Sequence, residues 1–386
     1  MMETFAIDVK KTKDDLASYV NAKTVVSSYV TALTNTDISG VTFKDLPSDL
    51  KKQLPADPKT ILANLQKELK TARGHGMTWL NDIEPDLTKI PQAIINYNTQ
   101  FQAECGLMMP LIDDLIINPD DKAKRKELTD LFKGLLDNLN NQEKDITGEM
   151  GLIKQFNTDI HGDSLNFSNA NKDFDAIRTW EESNIKILNG AITQIDGAIS
   201  ALQKEITATA ISTGVSAAVI GVGIGLIASG GVVKPIIGAI VMVVGFVGIG
   251  MSVAFLISSI NELVEEQSEK AKDQLEVTLL TQQVVALDSV EKITKKLVDQ
   301  SKSAEQAVQI ILDTWGTLKV KLEAVIDDLE NSEKHIGDIM SKVDLETAQT
   351  QWGQLQEFAE AMQQMPINVD NKKNTSNLQI KKAVAA

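Results

Sequence analysis

Apolar residues recur along this chain at helical steps. From Val308 they fall at Leu312, Trp315, Leu318, Leu322, Val325, Leu329, Ile336, Met340 and Val343, and upstream at Leu275, Leu279, Val284, Leu287, Val290, Ile293 and Leu297. Such spacing lays one apolar stripe along a helix, with Glu, Lys and Gln between. Residues 120 to 205 carry the counterpart, first as Leu128, Leu131, Leu135, Leu136, Leu139 and Ile146. It resumes at Ile177, Ile185, Ile187, Leu188, Ile192, Ile195, Ile199 and Leu202. Proline, which ends or kinks helices, is missing from the 115 residues between Pro119 and Pro235 and the 130 between Pro235 and Pro366. The pattern predicts two very long helices; one of about 80 residues would span roughly 120 Å. Shorter helices are predicted over 8–34, 59–72 and 92–107. Asn118-Pro119-Asp120-Asp121 reads as a turn feeding a helix N-terminus. No alternating apolar–polar run outside the middle of the chain asks for a sheet, so the fold class is all-α.

The middle breaks this pattern. Among the 56 residues from Ile206 to Asn261 only Lys234 is charged, and it stands beside Pro235, just after Gly230-Gly231. Two uncharged arms of 28 and 27 residues flank that turn, and about 20 apolar residues suffice to cross a hydrocarbon core. The segment therefore reads as a membrane-inserting hairpin with its tip at Gly230, Gly231, Lys234 and Pro235. The inserting residues of the first arm are Ile211, Val215, Val219, Ile220, Val222, Ile224, Leu226, Ile227, Val232 and Val233. Those of the second are Ile236, Ile237, Ile240, Val241, Val243, Val244, Phe246, Val247, Ile249, Val253, Phe255 and Leu256. The segment holds 21 Ile or Val, 10 Gly and two Leu. Residues that are poor helix formers in water leave the arms free to lie as strands or irregular structure there, and as helices in lipid.

Charge and chemistry narrow the function further. The net charge of −15 argues against nucleic acid. Cys105, the one cysteine, has no internal disulfide partner, and His75, His161 and His335 are the only histidines. Gly223-Ile-Gly225-Leu-Ile-Ala228 matches a dinucleotide fingerprint but has no acid about 20 residues on. Gly162-Asp163-Ser164-Leu165 spells a serine-esterase motif, yet falls in a helical region and reads as solvated surface. His75, between Gly74 and Gly76, reads as a loop residue. Glu262, Glu265 and Glu266 read as a solvated collar at the base of the hairpin, and Trp79, Trp180, Trp315 and Trp352 as core or groove residues. No catalytic constellation, metal site or cofactor is expected, and the chain is read as no enzyme. Residues Met1 to Lys11 show no apolar signal-peptide core.

The architecture resembles the α-helical pore-forming toxins of the cytolysin A type, which include the Bacillus haemolytic and non-haemolytic enterotoxins and tripartite relatives in Gram-negative bacteria. The local likeness lies in Phe156-Asn-Thr-Asp159-Ile followed by Asp163-Ser164-Leu-Asn-Phe167, similar to the segment before the apolar hairpin of those enterotoxins. The resemblance implies an elongated tail of about five long helices, residues 1–205 and 262–386, with a small apolar head, 206–261, inserted between the two longest. It implies a subunit secreted in soluble form that inserts its head into the target-cell membrane and assembles with copies of itself and one or two homologous components into a lytic pore. Residues 367–386 are expected to form a flexible tail. Two other readings stay open: a resident two-span membrane protein with a sensor or scaffold bundle, and a soluble coiled-coil protein with a buried apolar insertion.

Overall fold

The computed structural model describes residues 7–35, 46–180, 242–248, 251–257, 279–331, 336–337 and 344–363, together with Phe5, Ile38 and Phe43. Six long helices make the frame: α1 (Val9–Asn35), α3 (Pro58–Thr78), α5 (Lys89–Ile117), α6 (Lys122–Lys172), α8 (Leu279–Asn331) and α9 (Leu345–Gln363). Short helices α2 (Ser48–Lys51), α4 (Glu84–Asp86) and α7 (Asp175–Trp180) lie between them. The strands β1 (Met242–Gly248) and β2 (Met251–Ile257) pair antiparallel within the apolar segment.

Local chemistry starts the helices where the sequence placed them. Asp121 accepts hydrogen bonds from the Ala123 and Lys124 amides, 3.1 Å each, and caps α6. Asp57 does the same for α3 through the Lys59 amide at 2.9 Å, with Pro58 in the first turn, where its missing N–H costs nothing. At the far end of α8, Arg125 of α6 donates to the Leu329 carbonyl at 2.8 Å, one of the last four carbonyls that the helix itself leaves unpaired.

At 51 and 53 residues, α6 and α8 are each about 75–80 Å long. They run antiparallel: Lys133 meets Glu330, Lys319 meets Glu143, and Ser168 meets Glu291. Helix α5 also runs antiparallel to α6, through Lys89–Glu149, while α9 packs on α5 through Asn98–Gln356 and Gln102 to the Gln349 carbonyl. Helix α1 packs on α8, α3 and α9, and its Ser27 lies under Trp79, while Phe5, ahead of the helix, rests on Phe132. One end of the bundle is therefore five helices thick. The other, from which the chain leaves toward the apolar segment, is made of α3, α6, α8 and the top of α1.

Several expectations need correction. The predicted helix over 120–205 is interrupted at Asp173–Phe174, and its continuation beyond Trp180 lies outside the described residues. Of the stripe that runs to Val343, α8 is described as far as Asn331 and Ile336 is helical and buried, while Leu275, Met340 and Val343 lie outside the described residues. The helices predicted at 59–72 and 92–107 extend to Thr78 and Ile117, carrying Pro110 inside α5. His75 is helical, not a loop residue. Gly76 is small for packing: a Cβ there would stand 3.1 and 3.2 Å from the Thr34 and Val30 side chains of α1. Asp163 and Ser164, expected on solvated surface, are buried, because their side of α6 faces neighbouring helices. Trp79, Trp315 and Trp352 are core residues as expected. The side chain of Trp180 and the proposed tail 367–386 lie outside what is described, as do His335, Glu262, Glu265, Glu266 and the glycines of the fingerprint.

Candidate membrane-inserting segment and its support

Strands β1 and β2 occupy the second apolar arm. Val243 pairs with Leu256, Val244 with Phe255, Phe246 with Val253, and Val247 with Ser252, and the chain reverses between Gly248 and Met251. Val, Ile and Phe fill most of both strands, the residue types that favour pleated backbone, and no charge interrupts them. The second arm thus folds back on itself here and does not run as one element. The remaining predicted inserting residues lie outside the described residues: those of the first arm, then Ile236, Ile237, Ile240, Val241 and Ile249, with the tip Gly230, Gly231, Lys234 and Pro235. Among the described residues no helix is long and apolar enough to cross a membrane.

At the end of the bundle where α6 finishes and α8 begins, the α6–α8 seam turns polar. Ser168 donates to Glu291 at 2.9 Å, Asn171 donates to Glu291 at 2.6 Å and to Asp288 at 3.2 Å, and Lys295 completes the cluster at 2.5 Å. Burial works against ionising Glu291, but the bonds from Lys295, Asn171 and Ser168 outweigh it and hold its carboxyl below the usual range. Thr294 and Ser301 are buried along the same seam. One turn further, the ring of Phe174 lies 4.7 Å from that of Phe43 in the connection after α1, both buried.

Helix α3 is tied to α6 by His75 Nδ1 and Asp163 Oδ2 at 2.7 Å. Burial pushes the Asp163 carboxyl up, and the histidine pulls it partly back. Helix α1 is tied in through Trp79 Nε1, which donates to Ser27 at 2.9 Å, and Tyr19, whose hydroxyl donates to the Leu87 carbonyl at 2.6 Å. Ser164 sits in mid-helix, buried, and His161 is exposed. That is no setting for a serine nucleophile, which needs a turn that presents its hydroxyl. Among the described residues no three metal-ligating side chains converge. Burial lifts the Cys105 thiol to about 12, so it stays protonated.

The Glu291 cluster and the Phe43–Phe174 contact escaped the sequence reading. Their partners are more than 100 residues apart, and neither end carries a local motif; only the helix register brings them together.

The model of the Bacillus haemolytic enterotoxin (HBL) family matches residues 11–203, half of the chain. This chain belongs to that family. No curated protein sequence matches it. Among solved structures it resembles the Bacillus cereus HblL1 toxin component, at 16% identity over 93% of this chain and 97% of that one, with a TM-score of 0.61. It is also similar to soluble AhlB of the tripartite α-pore-forming toxin AHL from Aeromonas hydrophila, at 17% identity over 92% of each chain and a TM-score of 0.61. The pre-pore form of AhlB matches at 15% identity over 92% of this chain and 97% of that one, with a TM-score of 0.53. The bundle is thus the all-α fold of this toxin family, closer to the soluble form of AhlB than to its pre-pore.

Proposed function

We propose that this chain is a pore-forming cytolysin subunit, one component of a multipart toxin, that meets its target membrane through residues 206–261. One observation carries the reading: a haemolytic enterotoxin family member bears 56 consecutive residues with a single charge. The tail, 1–205 and 262–386, carries this head in solution, and the partners are the target-cell bilayer, further copies of the chain and homologous components. The protein works outside the cell that makes it, and no step calls for a cofactor or catalytic residue.

The physical logic follows from the backbone. In water, a β-hairpin of β-branched residues satisfies its amides across the pair and outwards to solvent. In hydrocarbon, an open two-stranded ribbon leaves both outer edges unpaired, each group at a cost of several kcal/mol. Lipid therefore drives the arms toward helices, which satisfy every amide internally. Lys234 at the tip reaches the far headgroups. The resident-membrane reading loses ground because the flanks carry Lys204 and Glu205 on one side and Glu262, Glu265 and Glu266 on the other, with no basic excess.

Flotation with liposomes tests the proposal without any partner component. Wild-type protein should float, while Val243→Glu and Val244→Glu should stay behind with their bundles folded. A carboxylate at mid-arm costs about 2.5–3.5 kcal/mol in the bilayer centre, roughly a hundredfold in insertion. Unimpaired flotation of both variants would refute insertion of this arm.

A further inference from the structure

The break between α6 and α7 falls among Asn171, Asp173 and Asp175, cap-forming residues that permit a helix to stop without requiring it. Lys172-Asp173-Phe174-Asp175 contains neither glycine nor proline, and the periodicity predicts a helix straight through it. The backbone has scarcely left the helix: Asp173 has φ −60° and ψ −14°, and the Phe174 amide bonds to the Asn171 carbonyl at 3.2 Å in a tightened turn. Something outside the turn holds it. Phe174 is fully buried against Phe43, with ring centroids 4.7 Å apart. Phe43 pays for that contact with its backbone, since its φ of 47° lies in the left-handed region that a bulky residue avoids. Immediately below, Asn171 and Ser168 fasten the last turn of α6 to Glu291 of α8. On one side of the joint hydrogen bonds fix the helix, and on the other the Phe43 ring packs on Phe174.

We infer that Phe43 and Phe174 form an aromatic clasp that holds a hinge closed at Asp173–Phe174, and that its release joins α6 and α7 into one continuous helix. The clasp is set to open in one direction. Withdrawing Phe43 relieves its own backbone strain and frees Phe174 to take the helical register that its sequence prefers. The loop after α1 thereby controls the direction in which α6 delivers the chain toward the apolar segment.

Leu165 and Thr179 are exposed on either side of the hinge and fourteen residues apart, about 21 Å along a continuous helix. Spin labels at these sites, in a Cys105→Ala background, give the distance directly. In water, Phe43→Ala and Phe174→Ala should both lengthen and narrow it toward the continuous-helix value, with helicity gained by circular dichroism. Should one variant fold poorly, Phe43→Leu serves, with a smaller shift in the same direction. Wild-type distances in the folded variants, or a wild type already at the continuous value, overturn the clasp.

A second arm rests on the proposed membrane function. A Phe43→Cys/Phe174→Cys disulfide should lower liposome flotation at least tenfold, and reductant should restore it. Equal flotation of the oxidised and reduced forms, with wild type floating, overturns the role of the clasp in insertion. A wild type that does not float counts against the membrane reading alone, because the distances in water stand apart from it.

Discussion

The two ends of the bundle are built from different materials. Toward the middle of the bundle, where it is five helices thick, Tyr97, Phe101, Trp315 and Trp352 pack in one cluster, with Tyr97 4.7 Å from Trp352 and edge-on to Trp315 at 5.4 Å. Phe5 closes the base against Phe132. At the other end the Phe43–Phe174 pair and the hydrogen-bonded Glu291 carboxylate join a mostly aliphatic core that includes Leu65, Leu69, Leu287, Val290 and Leu297. The hydrophobic burial of the clustered rings is lost only by separating the helices, whereas a polar seam can exchange its partners for water at little net cost. The contrast teaches where the molecule keeps its shape and where it is prepared to change. Under the proposed hinge, the thick end is the anchor and the thin end the moving part.

The largest blow to this contrast would come through the anchor. Trp315→Ala should cost about 3–5 kcal/mol and lower the denaturation midpoint of the whole bundle. A change confined to the thin end would break the comparison. A smaller loss, about 1–3 kcal/mol, should follow His75→Ala, which leaves the buried Asp163 carboxylate without its partner. Hydrogen exchange should place that loss in α3 and the upper part of α6, and Asp163→Asn should be milder because an amide still pairs with His75.

Acid sharpens the picture. The Glu291 carboxyl is held below its usual range, so its contribution is fully present above the unfolded Glu value, near 4.3, and fades as pH falls through the lower folded value. Asp163, Glu84 and Glu104 lie the other way, raised first by burial, so protonating them relieves a cost. The Glu291 effect is therefore read by difference. Relative to wild type, Glu291→Gln should lose stability at pH 7 and lose less as pH drops below about 4. A pH-independent difference would remove the carboxylate from the seam. Smallest of all is Lys133→Ala. Its ion pair with Glu330 is exposed at both partners, and the midpoint should not move measurably.

The anchor was far more legible in sequence than the moving part. Period 3.6 reports which face of a helix is buried, so Leu318, Leu322, Val325 and Leu329 announced both their helix and their burial. What packs across helices is invisible to a period. Gly74-His75-Gly76 read as a loop because glycine usually marks a turn, but Gly76 is small to let α1 approach. Asp163 and Ser164 read as surface because polar residues usually are; the missing information was the register that brings His75 to Asp163. The same lack hid Phe43. The residue composition of 206–261, rich in Ile, Val and Gly and nearly without Leu, did leave strands open in water, and β1 and β2 are strands. That they fold the second arm back on itself was not readable, because nothing but glycine marks the reversal.

The central claim is that the apolar segment enters the bilayer while the anchor stays out of it. A fluorophore placed at Val244, or at Lys133 on the anchor, can be mixed with vesicles whose acyl chains carry bromine at mid-depth. Strong quenching at position 244 with none at 133 is the expected result. Position 244 left unquenched, in protein that has bound the vesicles, would contradict the account.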